Sequence, residues 1–172
     1  MYRKFAWIIV GAVLVCGVSS SIVKAQTNIY KLHSLFMYNF TKHVQWQGVG
    51  DSFTVGVFGS DLALKEVKEN FNGKKFSGKD IHVISIAGTG DVNTCQMVYF
   101  PKSNKNKILD LFEAAKKNNI LFVSEDNLIG DGFPISFKIT GEKLGFIVSK
   151  KNLDSSGLKM SSALLSLAEV VD

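Results

Sequence analysis

Three histidines, His33, His43 and His82, and two cysteines, Cys16 and Cys95, are the residues of this 172-residue chain best suited by type to hold a metal or start a reaction. His33 and His43 stand on one helix-patterned stretch, roughly 80° apart around the axis and nearly three turns apart along it, so they cannot share an ion. His82 falls in a strand-patterned run, and no cysteine or carboxylate spacing completes a ligand set with any of the three. No metal and no cofactor is therefore expected. Gly56-Val-Phe-Gly-Ser-Asp61 comes nearest to a phosphate loop, yet it lacks both the third glycine of a dinucleotide fingerprint and the Gly-Lys-Ser/Thr of a P-loop. It reads as a tight strand-to-helix turn. There is no Gly-x-Ser-x-Gly elbow, and nothing in the order of Ser, His and Asp nominates a triad. Asp126, Asp131 and Glu142 are scattered in loops, where solvated carboxylates are the rule. The chain is not expected to be an enzyme.

What remains for function is topology. In open α/β sheets ligands sit outside the carboxyl ends of the parallel strands, where helix N-termini offer free N–H groups. Here that edge would be lined by Gly59, Ser60 and Asp61, by Pro101, Lys102 and Ser103, and by Ser124, Glu125 and Asp126. The same serines and aspartates would serve equally as helix caps.

The elements that position this edge follow from hydrophobic periodicity. Cys95 to Phe100 and Ile120 to Val123 are continuous apolar runs, the mark of strands covered on both faces. Between them Ile108, Leu109, Leu111, Phe112 and Ala115 recur at helical spacing, with Ser103 placed to cap the start and Asn118-Asn119 the end. This βαβ unit marks the middle of a layered domain. Phe53 to Gly59 predicts a strand, and Ser60 or Asp61 opens a helix through about Phe71 that Asn72-Gly73 stops. Ile81 to Ile86 alternates, so it predicts a less buried strand. Ile135–Ile139 and Leu144–Val148, joined through Thr140-Gly-Glu-Lys143, read as an antiparallel hairpin at one edge of the sheet. Leu32, Phe36, Phe40 and Val44 step by four through a first helix, Ile29 to Trp46, and the apolar stretch from Ser161 to Val171 reads as a closing helix against the sheet. The fold class expected is α/β: a three-layer sandwich with a mixed, mainly parallel sheet, a C-terminal antiparallel hairpin and helices on both faces.

Arg3 and Lys4 followed by the uncharged apolar run Phe5 to Val18, with Val23-Lys24-Ala25 closing it, have the layout of a secretory leader. Residues 1–25 are thus expected to be a signal peptide cleaved near Ala25/Gln26, and 26–172 a single exported domain. As a membrane span the stretch is weakened by Ser19-Ser20-Ser21 and its glycines. Losing Arg3, Lys4 and Lys24 from 20 basic residues leaves 17 against 15 acidic, so the formal charge falls from +5 to +2 and nucleic acid loses its support as a partner. Only Cys95 remains, which excludes an internal disulfide and reads as a buried thiol.

Phe36-Met-Tyr-Asn-Phe-Thr-Lys-His-Val-Gln-Trp46 resembles the helical signature of the YfiR-like family. Gly132-Phe-Pro-Ile-Ser-Phe137, leading to Gly157-Leu-Lys-Met-Ser-Ser-Ala-Leu-Leu-Ser-Leu-Ala168, resembles that family's C-terminal motifs, and Cys95 to Phe100 its central strand. The resemblance implies a small periplasmic α/β protein without catalysis. Its implied partner is the periplasmic domain of an inner-membrane signalling protein, a diguanylate cyclase held inactive or a histidine kinase, so that cyclic di-GMP signalling and biofilm formation respond to the envelope. A homodimer stays open beside it. Tyr38 and Trp46, inside the helical signature, are the candidate partner-binding residues, with core packing as their alternative. The disulfide cysteines of the family's best-known member have no counterparts here, so redox control is not implied.

Overall fold

The computed structural model describes residues 8–102, 104–115 and 119–172, the side chains of 8–24 and 27 excepted. The first helix, α1 (Ile8–His43), ends three residues before the expected Trp46, because the chain turns into the two-residue strand β1 (Val44–Gln45). Then follow β2 (Ser52–Phe58), α2 (Asp61–Phe71), β3 (Lys75–Phe76), β4 (Lys79–Ile86), α3 (Thr89–Val92), β5 (Met97–Phe100), α4 (Lys105–Ala115) and β6 (Leu121–Ser124). A 3-10 turn at Ile129–Asp131 leads into β7 (Ile135–Thr140) and β8 (Lys143–Ser149). The chain closes with α5 (Lys150–Ser155), β9 (Lys159–Met160), α6 (Ser162–Leu165) and β10 (Glu169–Val171).

Eight strands make the main sheet in the order β10-β8-β7-β6-β5-β2-β4-β3. From β4 to β7 all neighbours are parallel, while β7–β8 and β3–β4 are antiparallel pairs. The expected mixed, mainly parallel sheet with helices on both faces is what forms. All four residues of β5 and all four of β6 are buried, as continuous apolar runs require. Met97, Tyr99, Leu121 and Val123 face a core shared with α1 and α2; Val98, Phe100 and Phe122 face a second core shared with α3 and α4. In that second core Phe112 and Phe133 lie 4.6 Å apart, ring centroid to centroid, in contact with Phe122. Such aromatic pairs contribute about 0.5–1.5 kcal/mol beyond their buried area. Gly56 sits where the sheet admits no side chain: a Cβ there would lie 2.5 Å from Ile86 Cδ1 and 2.9 Å from Cys95 Sγ.

Two expectations are corrected. The predicted closing helix over 161–171 is only the four residues of α6, followed by β10, which pairs parallel with β8. The hairpin β7–β8 therefore lies one strand in from the edge. Side-chain apolarity alone does not separate helix from strand; hydrogen bonding to β8 decides it, and Leu167 and Val170 point outward as a buried helix would not allow. Ser103, read as the cap of α4, lies outside the described residues with Lys116, Lys117 and Asn118; the cap that is described is Asn104, whose Oδ1 accepts from the N–H of Asn106 and Lys107. Asn119 adopts the left-handed conformation expected at a helix end, with φ 53°.

A second sheet of two strands joins β1 to β9, pairing Val44 with Met160 and Gln45 with Lys159. It is extended by the N–H of Ser161 donating to the carbonyl of His43 at 2.8 Å and by a 3.1 Å contact between His43 Nδ1 and Ser161 Oγ.

Candidate functional site

The strand order places β4 and β5 on opposite sides of β2, so the chain reverses direction across the sheet between β2 and β5. Ligands in such sheets bind at this reversal. Gly59, Ser60 and Asp61 follow β2, Pro101 and Lys102 follow β5, and Ser124 ends β6 ahead of Glu125 and Asp126, so these candidates do share one edge.

Most of their polar groups are engaged in holding that edge together. Ser60 Oγ accepts from the N–H of Ala63 and caps α2, and the exposed Asp61 stands in the first turn, where its charge complements the helix dipole. The N–H of Lys102 donates to Glu125 Oε2 at 2.8 Å, and the N–H of Glu125 donates to the carbonyl of Phe100, so the loops after β5 and β6 clasp each other. Ser124 is fully buried, its hydroxyl 2.8 Å from that of Ser136, which in turn accepts from the N–H of Leu128. Pro101 is buried as well.

The reversal is filled from within by α1. Tyr30 reaches the Ser60 side chain, and His33 Nδ1 lies 2.6 Å from the Tyr99 hydroxyl. The His33 ring stacks on Phe137, centroids 4.0 Å apart and nearly parallel. Only 1% of His33 is exposed, and burial pushes its imidazole down to about 3. Burial, then the negative charge of Glu125, raise the Tyr30 and Tyr99 hydroxyls, with Ser60 opposing at Tyr30 and Tyr30 adding at Tyr99. A neutral imidazole sealed under a helix cannot exchange protons with a bound substrate; it fixes α1 to the sheet. Sequence reasoning placed His33 on the first helix but put Leu32, not His33, on its buried stripe, and it missed Tyr30 and Tyr99 as companions of His33; the structure buries His33 and leaves Leu32 exposed.

The two partner-binding candidates lie at the other end of the molecule. Trp46 packs edge-on against Phe53 near the start of β2, centroids 4.9 Å apart, and its indole N–H donates to the carbonyl of Thr41 at 3.1 Å. Tyr38 packs on Phe71, the last residue of α2, and Lys42 Nζ and Lys74 Nζ each lie 4.2 Å from its ring centroid. Contacts of this kind are worth about 0.5–1 kcal/mol at exposed sites. Both side chains are half-buried, so each has a packed side and an open one. Elsewhere a cavity of about 500 Å³ opens between α4 and α5, but its Asn152 amide is committed to the carbonyls of Ile129 and Phe133, and its Asp131 to Lys105.

Among the described residues no three or more His, Cys, Asp and Glu side chains converge as a metal site, and no helix is long and apolar enough to cross a membrane. Cys95 is buried at the head of β5, its thiol 3.3 Å from the carbonyl of Asp91 and pushed up to about 11, chiefly by burial.

This is a three-layer α/β protein whose strand-end cleft is closed by its own first helix and whose candidate contact residues cluster at the opposite end. The chain belongs to the YfiR/HmsC-like family (DUF4154), whose model matches residues 30–169. Membership supports, at a coarse level, a periplasmic regulatory role. No curated protein matches the chain. Among solved structures it is similar to a conserved domain protein from Vibrio cholerae O1 biovar El Tor, at 12% identity and a TM-score of 0.56, over 83% of this chain. That likeness concerns the fold alone, and the chain spans only 60% of that protein's length. An ABC domain in complex with L-Trp from Streptococcus pneumonia also aligns, at 12% identity over 70% of this chain and 55% of that one, with a TM-score of 0.49.

Proposed function

We propose that the chain is a non-catalytic regulator, released into the periplasm by cleavage near Ala25/Gln26, that occupies the periplasmic sensor domain of an inner-membrane diguanylate cyclase or histidine kinase and represses it. Family membership supports the class of role. The observation that carries the contact mechanism is a set of large apolar side chains left in water on the α1 side of the sheet. Leu32 and Leu35 of α1 are 44% and 41% exposed, and Ile139 of β7 and Val170 of β10 are 64% and 42% exposed. Phe36 packs on Phe137 and Phe146, which puts α1 beside β7 and β8; Ile139 and Val170 stand on that same face of the sheet, in register with Leu144 and Val148. Apolar side chains left exposed on one side of a sheet are the kind of surface a partner covers.

A small ligand at the strand ends is the weaker reading, since it would have to displace Tyr30 from Ser60. Crosslinking in intact cells followed by capture of the processed protein tests the leading one. Recovery of a membrane-anchored cyclase or kinase is the expected result. Recovery of soluble proteins alone would count against it.

A further inference from the structure

The outer surface of α1 carries its apolar residues toward a basic hollow. Leu35 lies one turn before Tyr38, and Tyr38 one turn before Lys42, so the three form a continuous row on the helix surface. Lys42 and Lys74 approach the same Tyr38 ring from two elements, the end of α1 and the loop after α2. Among the described residues neither is paired with a carboxylate, nor is Lys68 in the last turn of α2. Burial, and after it the charge of Lys42, lower the Lys74 ammonium from its ordinary range. Beside this pair a hollow of about 330 Å³ is lined by Lys42, Val44, Trp46, Lys75, Phe76 and Ser77. The lining combines the aromatic and aliphatic Val44, Trp46 and Phe76 with the cationic Lys42 and Lys75, the latter ion-paired with Asp80.

We propose that this hollow receives an acidic segment of the membrane protein that the chain regulates, a carboxylate set between Lys42 and Lys74 and an apolar side chain against Trp46 and Phe76. The proposal rests on the regulatory reading above and adds the chemistry of the partner. Charge complementarity selects an acidic occupant. Concavity selects a protruding side chain over a flat anionic bilayer. The turn that forms one wall, Ser77-Gly78, has both residues at positive φ, 47° and 85°, the geometry of a tight two-residue hairpin, so the wall is fixed before anything binds.

Trp7 leaves with the leader, so Trp46 is the one tryptophan of the processed chain and reports on the hollow directly. The probe is the blocked peptide Ac-Glu-Phe-Glu-Leu-Glu-NH2, with its Lys-for-Glu counterpart as control, titrated against Trp46 emission. Saturable change with the acidic peptide, weakened at least tenfold in the double variant Lys42→Glu/Lys74→Glu and by added salt, is the expected result. Lys42→Gln/Lys74→Gln, which adds no new charge, should fall between, and unchanged thermal midpoints in both variants show that folding is intact. Equal affinity in wild type and both variants, or no response, would overturn the proposal. In cells, a photocrosslinking residue at Ser77 should label an Asp/Glu-rich segment of a membrane signalling protein. Labelling of such a protein from Lys102 but not from Ser77 would remove this site and keep the regulatory reading; labelling from neither would remove both.

Discussion

His33 Nδ1 and the Tyr99 hydroxyl meet at 2.6 Å across the boundary between the first helix and the central strand, with no more than 1% of either residue exposed. This contact joins α1 to the sheet at the point where an open α/β fold would otherwise offer a cleft. The groups facing the imidazole are Tyr30 from its own helix, Tyr99 from β5 and Phe137 from β7, with Glu125 acting on both tyrosines from the loop after β6. Burial is what lowers the imidazole.

The pH dependence follows with a definite sign. In the unfolded chain His33 takes up a proton near its ordinary value of 6.5, whereas in the folded protein it does so only near 3. The unfolded state therefore binds more protons between those values, and stability falls as pH drops through that window while staying level above it. Denaturant titrations from pH 7 to 4.5 should show a loss approaching about 1.4 kcal/mol per pH unit from this group. His33→Gln, which keeps a partner for Tyr99, should flatten that slope.

Gly157 follows α5 at φ 69°, and a Cβ placed on it would stand 2.3 Å from Asn119 Oδ1. Left-handed backbone and steric overlap act together here, so Gly157→Ala should cost about 1–3 kcal/mol in urea unfolding. Adding Asn119→Gly removes the overlap but leaves the backbone strain, so the double variant should recover part of the loss.

The Cys95 thiol is buried and its ionisation is pushed up to about 11. Thiolate is the reactive form, so disulfide reagents at pH 8 should label Cys95 only at the rate of opening. Labelling should quicken with urea in step with the loss of structure. Fast labelling of the native protein would contradict this burial.

Much of the fold was legible in the sequence because central strands must be apolar on both sides. Cys95 to Phe100 and Ile120 to Val123 announced β5 and β6, and the half-exposed β4 was readable from the alternation of Ile81 to Ile86. The last segment was not legible: Leu164, Leu165 and Leu167 suit a helix as well as an edge, and only pairing of Val170 with Val148 settles it. The candidate edge was found by topology, yet its occupation by Tyr30 and His33 depends on a contact spanning 66 residues that no local pattern encodes. Lys42 and Lys74 likewise meet only because Tyr38 and Phe71 bring α1 and the end of α2 together. The family motifs, by contrast, were readable as motifs before their purpose was. Val44 with Met160, and His43 with Ser161, show that the signatures around Trp46 and Gly157 form one small sheet, so part of what makes them recognisable is structural.

Regulation by contact in the periplasm is tested most directly by cellular cyclic di-GMP, measured after deletion of the gene and again after it is resupplied with or without residues 1–25. The account predicts a rise on deletion, reversed by the exported form and not by the leaderless one. No change on deletion would contradict a diguanylate cyclase as the partner, and equal rescue by the leaderless form would contradict action in the periplasm.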